Sequence, residues 1–352
     1  MTSVPELTRV RDAHRFDEAA LAAYLFARLP GFCGVLSVRQ FEGGQSNPTF
    51  LLAAGGRELV LRKKPPGALL HSAHQVEREY RVMSALHGSE VPVPRTHLLC
   101  EDASVIGTPF YVMERIEGRV VSDPALPGFS RAERAAIYAD LARVLAALHR
   151  IAPDALDLGS FGKAGDYCAR QVSRWSRQYE ASKTEEIAEM DALIEWLPAN
   201  LPASDETRIV HGDYRLGNCI LHPSEPRIAA LLDWELSTLG HPLADLATCC
   251  QSYRGAAAPG ETLAGVDLAR AGIPSEEAFV SAYCERAGRE RIECWSFYMA
   301  FVMFRSAAIL QGVYRRGLDG NASSQRAREY GALVRERARE AWRLARASHI
   351  RV

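Results

Sequence analysis

Neither sign of charge prevails in this chain of 352 residues: 42 Lys and Arg face 43 Asp and Glu, for a net charge of −1. Such a balance supplies no long-range attraction to nucleic acid or to an anionic membrane, and neither is expected as a partner. Cysteine is sparse and scattered. Cys33, Cys100, Cys168, Cys219, Cys249, Cys250, Cys284 and Cys294 include no CxxC pair. Zinc sites draw their ligands in closely spaced pairs, so no structural zinc is expected. With no secretion signal, buried free thiols are the expectation. Long apolar runs are missing too, and nothing approaches the roughly 18 residues of a membrane helix. The apolar patch over residues 21–27 is too short and too flanked by charge for a signal peptide. Internal repeats and long Pro- or Ser-rich linkers are also absent. These absences lead us to expect a soluble, cytoplasmic protein.

What is present has the proportions of an ordinary globular chain, with 47% hydrophobic and 24% charged residues. At roughly 150 residues per domain the length suggests two domains. Residues 16–29 read as an amphipathic helix closed by Pro30-Gly31. Strand-like runs follow at 35–41, 49–53 and 59–62, parted by the turn signals Gly43-Gly44 and Gly55-Gly56, as antiparallel hairpins require. A helix is expected at 72–86, then strands at 96–100 and 110–116. Beyond Gly118 the pattern turns helical. Ser130 with Glu133 three residues on makes a capping box for a helix to about His149. Further helices are expected at 166–181, 183–197, 276–288, 291–312 and 325–348, with short strands at 219–221 and 228–232. The expected fold class is α+β: a small β-rich lobe with one main helix over residues 1–117, and a larger, mostly helical lobe over 118–352.

The strongest chemical signal is IVHGDYRLGNCIL, residues 209–221, followed by the apolar run into LLDWE. His211-Gly212-Asp213 and Asn218 stand at the two ends of one tight loop, and Asp233 ends a short strand. Phosphoryl transfer of the kinase type needs such a set. An aspartate takes the proton of the attacking hydroxyl, while an amide oxygen and a second carboxylate hold Mg²⁺ on the nucleotide phosphates. Asp213 is therefore the candidate base, and Asn218 and Asp233 the candidate metal ligands. Each alone could be a turn, loop or cap residue, but the preceding lobe agrees with the kinase reading. EGGQSN at 42–47 is a Gly-rich hairpin whose Gly44, Ser46 and Asn47 could approach phosphates. LVLRKK at 59–64 offers Arg62, with Lys64 in reserve on the same face, as a phosphate contact, and the next helix offers Glu77 and Glu79. FYVMERIEG at 110–118 resembles a nucleotide hinge, with Met113 beside the base and the backbone of Glu114 and Ile116 at its edge.

Together GGQSNPTF, LVLRKKPPG, AHQVEREYRVM, FYVMERIEG, HGDYRLGN and LLDWELSTLGHPLADLA resemble the aminoglycoside phosphotransferase-like family. More closely they are similar to the branch that also occurs fused to acyl-CoA dehydrogenases. The resemblance implies a protein-kinase-like two-lobed fold, ATP and Mg²⁺ as cofactors, and Glu79 as the helix glutamate paired with the strand cation. Two departures stand out: Arg62 replaces the strand lysine, and the metal triplet is Asp233-Trp234-Glu235, without the glycine of protein kinases. Glu235 is open between a metal or phosphate role and a surface role, and Asp245 is expected to fix the catalytic loop by hydrogen bonds.

The expected function is an ATP-dependent O-phosphotransferase acting on the hydroxyl of a small molecule. From Gln325 to Val352 there are eight Arg and three Glu, which favours an anionic acceptor. The family branch points the same way, toward a hydroxyacyl-CoA. An aminoglycoside or another small molecule stays open as acceptor, as does a nucleotide-binding pseudokinase acting as an interaction module.

Overall fold

Alternation along one strand shows how the first sheet is built. In Arg57–Lys63, Leu59 and Leu61 enter a core with Phe50, Leu52, Phe110 and Val112, capped by Leu21 and Leu25 of the Glu18–Arg28 helix. Val60 and Arg62 therefore point to the opposite face, as the period of two demands. The partner strand Thr49–Ala54 pairs antiparallel across Gly55-Gly56, whose φ values of 57° and 77° are those of a two-residue hairpin turn that favours glycine at both positions.

The computed structural model describes residues 7–42, 47–65, 75–255, 260–320 and 325–347. Two units emerge: Met1–Val121 with Asn218–Ser237, and Ser122–Gly217 with Thr238–Val352. In the first, six antiparallel strands run in the spatial order Leu7–Thr8, Ser37–Phe41, Thr49–Ala54, Arg57–Lys63, Phe110–Glu114, Thr96–Cys100. The Val76–Leu86 helix buries Val76, Glu79, Val82, Met83 and Leu86. The segment Asn218–Ser237, which a division at 117/118 assigns to the second lobe, joins this unit through hydrogen bonds. Cys219–Leu221 pairs with both Arg119–Val120 and Ile228–Leu231, and Leu231 N–H donates to Pro92 O at 2.8 Å. Gly118 lets these strands meet, since a Cβ there would lie 2.2 Å from Leu221 O.

The second unit is mostly helical. Arg131–Arg150 starts on the expected capping box: Ser130 Oγ accepts from Glu133 N–H and Glu133 Oε2 from Ser130 N–H. Trp295–Leu318 is long and apolar enough to cross a membrane by length and composition, which the reading of the sequence did not anticipate. Yet 78% of its apolar window is buried, and it carries Arg305 inward as a core helix. It starts later than expected because Cys294 adopts a left-handed φ of 56°. Tyr330–Arg346 packs along it. The helix expected at 183–197 begins at Ala188 instead, with Lys183 bound to Glu186 and Asp191 at the turn before it. Among the elements that escaped the sequence reading are the Arg119–Val120 strand, the strand pair Arg208–Val210 with Thr238–Gly240, and the helix Pro242–Cys250. All eight cysteines are free thiols, but Cys33 and Cys294 are exposed, against the expectation of uniform burial.

Candidate active site

In the first unit, one guanidinium gathers three carboxylates. Arg62 Nη2 donates to Asp233 Oδ1 at 2.6 Å and lies 3.7 Å from Glu235 Oε2, while Nε stands 3.1 Å from Glu79 Oε2 without the alignment of a hydrogen bond. Strand alternation aims Arg62 off the core face, and the first turn of the Val76–Leu86 helix supplies Glu79. Glu79 is buried and receives two further donors, Asn47 Nδ2 at 2.7 Å and Tyr111 OH at 3.1 Å. Burial pushes its carboxyl up to about 7, with Arg62 opposing and the charges of Asp233 and Glu235 adding to the rise. Burial works most strongly against charge on Arg62, but Glu79, Tyr111 and Asp233 together more than offset it and the guanidinium's pKa is raised.

The two expected metal ligands come from adjoining backbone. Asn218 is buried, and its C=O accepts from Leu232 N–H at 2.8 Å, one residue before Asp233. Asp233 takes a left-handed conformation, φ 65° and ψ 58°, just past the Ile228–Leu231 strand and opening a short turn over Trp234–Leu236. Among non-glycine residues, aspartate and asparagine are the ones that tolerate it best. The donor set is an amide oxygen and a carboxylate, hard oxygen ligands that fit magnesium. Among the described residues no three His, Cys, Asp or Glu side chains gather into a metal site of their own. Magnesium held by one carboxylate, an amide and bound phosphates needs no such cluster.

In the second unit, the loop carrying Asp213 is fastened through its backbone. Gly212 has φ 85°, the left-handed region that favours glycine. Asp245, buried in the first turn of the Pro242–Cys250 helix, accepts His211 N–H on Oδ2 at 2.5 Å and Gly212 N–H on Oδ1 at 2.8 Å. His149 Nε2 stands 3.5 Å from the same carboxylate, and its Nδ1 meets Tyr283 OH at 2.8 Å. Burial would raise the Asp245 carboxyl, but His149 and the loop N–H groups prevail and hold it below its ordinary range. From the other side Arg305 Nη2 donates to Gly212 C=O. Tyr214 OH donates to Leu141 C=O at 2.8 Å. Asp213 itself stays partly exposed, with Arg215 Nε 3.2 Å from Oδ2. The loop-fixing part expected of Asp245 is what this geometry performs.

The remaining candidates fall as follows. Gly44 and Ser46 lie outside the described residues. Asn47 is buried and directs its amide at Glu79. Lys64 lies past the end of its strand and binds Glu77 at 3.0 Å, apart from the Arg62 cluster. Met113 is buried on the Phe110–Glu114 strand, Glu114 is exposed at its end, and Ile116 lies beyond it in irregular backbone, so the strand stops short of the expected 116. The basic C-terminal segment is largely spent inside its own unit: Arg335 binds Glu185, Arg339 faces Glu189, Arg343 binds Glu340, and Arg337 donates to Ser306 Oγ. That removes much of its weight as a sign of an anionic acceptor. Sequence reasoning missed Tyr111 and His149, and it reads Arg305 as basic charge toward solvent or an anionic substrate, whereas Arg305 is buried and donates to Gly212 C=O. Tyr111 is directly opposite Arg62 in the strand register, and Arg305 is a lone charge in the apolar run FVMFRSAAIL, a mark of a buried donor.

The profile of the phosphotransferase enzyme family matches residues 37–286. Mouse acyl-CoA dehydrogenase family member 10 is 47% identical over 354 residues, which cover 99% of this chain and 33% of that protein. The chain thus spans about a third of that relative's length. A Ralstonia eutropha structure, provisionally described as an aminoglycoside phosphotransferase, is 48% identical with a TM-score of 0.88, covering 96% of this chain and all of that one. A thermostable mutant of the aminoglycoside phosphotransferase APH(4)-Ia, solved with ADP and hygromycin B, shares the fold at 17% identity and a TM-score of 0.60, covering 92% of this chain and 98% of that one. With these matches the chain belongs to the phosphotransferase enzyme family, in its aminoglycoside phosphotransferase-like group and akin to acyl-CoA dehydrogenase family members.

Proposed function

We infer that this phosphotransferase moves the γ-phosphoryl group of ATP to a hydroxyl group of a small molecule, and that the acceptor is a hydroxyacyl-CoA thioester. In this reading Asp213 accepts the hydroxyl proton, and Arg215 steadies its carboxylate. Asn218 and Asp233 would hold magnesium, which when bound supplies positive charge against the transferring phosphoryl group. Arg62 contacts the phosphates, and Glu79, oriented by Asn47 and Tyr111, keeps the guanidinium in place. The backbone of Glu114 and Ile116, beside Met113, receives the base.

The observation that carries this reading is the fastening of the His211–Asp213 backbone by Asp245 and Arg305, which presents a partly exposed aspartate on a rigid loop. Positioning of that kind is most of what phosphoryl transfer asks of a protein. The ADP-bound fold neighbour supports ATP as donor. Kinship with proteins named for acyl-CoA dehydrogenation supports the thioester acceptor. The test is an acceptor panel monitored by ADP release, with hydroxyacyl-CoAs and aminoglycosides side by side. Asp213→Asn should lower turnover about 10²- to 10⁴-fold while the far-UV circular dichroism is unchanged. Undiminished turnover in that variant would remove Asp213 from the chemistry, and turnover of an aminoglycoside alone would reverse the acceptor.

A further inference from the structure

The geometry points to Arg62 as a stand-in cation on Asp233, one that a divalent metal ion must displace, with Glu235 as the seat that receives the displaced guanidinium. The inference rests on the proposed role of Asp233 as a metal ligand. Around Arg62 stand Glu79, Asp233 and Glu235, within 3.1, 2.6 and 3.7 Å. Arg62 Nη2 already holds the Asp233 oxygen at hydrogen-bond distance, and two cations cannot share that oxygen without strong repulsion.

The exchange is short. The nitrogen on Asp233 is 3.7 Å from Glu235, so a movement of about 1 Å brings it to the 2.7–2.9 Å of a charge-assisted hydrogen bond. Arginine is suited to this where lysine is not. Its planar fork keeps one edge toward Glu79 while the other changes partner, whereas an ammonium is a single point charge. The contact of Nε with Glu79 lacks hydrogen-bond alignment, so little directional bonding is lost when the fork turns. Metal and nucleotide binding are coupled as a result. Without nucleotide, a metal ion competes with a seated guanidinium; with nucleotide, phosphate oxygens offer the freed guanidinium a new anionic partner.

The experiment measures Mn²⁺ affinity by electron paramagnetic resonance and calorimetry, with and without the non-hydrolysable nucleotide AMP-PNP. Wild type, Arg62→Lys and Glu235→Gln are compared, with melting curves to establish folding. Without nucleotide, Arg62→Lys should bind Mn²⁺ about tenfold more tightly than wild type, and the gain in Mn²⁺ affinity that AMP-PNP confers should shrink by the same factor. Glu235→Gln should weaken nucleotide-free Mn²⁺ binding at least threefold, because the guanidinium loses its second seat; this variant carries the test if Arg62→Lys fails to fold. Equal affinities across the set, with Mn²⁺ binding to the AMP-PNP complex intact, overturn this inference and leave the proposed function standing. No Mn²⁺ binding by wild type even with AMP-PNP overturns both.

Discussion

Asp245→Asn tests whether the loop is held as the geometry says. In the wild type each carboxylate oxygen takes one backbone N–H, from His211 and Gly212, inside a pocket where Asp245 is only 2% exposed. Hydrogen bonds to a charged acceptor contribute about 1.5–3 kcal/mol each. The amide keeps the shape but has one oxygen, so one N–H stays paired, more weakly, and the other faces an NH₂ donor. We expect a loss of about 2–4 kcal/mol, allowing for the desolvation cost that the neutral side chain no longer carries. Urea unfolding followed by circular dichroism reads it as a lower midpoint at unchanged slope. A pH series supplies a second arm. Because the folded carboxyl is held below its unfolded value, its contribution is fully present above about pH 4 and lost as pH falls through the folded pKa. That acid-side loss should flatten in the variant. A loss under about 0.5 kcal/mol would refute the anchoring argument, as would an unaltered acid side.

His241 offers the opposite case of a buried imidazole kept neutral. Its Nδ1 accepts from Leu243 N–H, its Nε2 meets Tyr298 OH, and burial pushes its pKa down to about 4. Below the unfolded value of about 6.5 the unfolded chain takes the proton first. Stability should therefore fall by about 3 kcal/mol as pH drops from 6.5 to 4, measured by urea midpoints, and His241→Asn should remove that slope while preserving an N-cap. Gly118→Ala places a methyl 2.2 Å from Leu221 O and should cost about 1–3 kcal/mol, read as a lower melting temperature; a neutral result would mean the strand yields there.

Local rules made parts of this molecule legible. The Gly55-Gly56 hairpin, the Ser130–Glu133 capping box and the opposite facing of Leu61 and Arg62 each follow from interactions within a few residues, and each is present. Asp213, Asn218 and Asp233 stand out in the sequence by their fixed spacing, and their roles belong to the proposed function. What failed depends on distant pairing. Arg208–Val210 and its partner Thr238–Gly240 are three residues each, too short for any period to show, and they meet from distant parts of the chain. The Pro242–Cys250 helix is buried on nearly every side, so it has no polar face to mark a turn of 3.6 residues. Asn47 looked like a phosphate contact beside two glycines, but the strand register brings it to Glu79. The C-terminal arginines looked like free charge because their acidic partners, Glu185 and Glu189, lie about 150 residues away in sequence.

The return of Asn218–Ser237 to the first unit has a consequence for inheritance and for engineering. Neither unit is an unbroken stretch of chain, since the backbone passes from one to the other after Val121, Gly217 and Ser237. A gene fragment ending near residue 121 would encode the guanidinium of Arg62 without Asp233 or Glu235, and Arg119–Val120 without the strand it pairs with. No single cut yields a self-sufficient half. The carboxylates around Arg62 and the loop aspartate must therefore be copied, fused and exchanged together as one cassette.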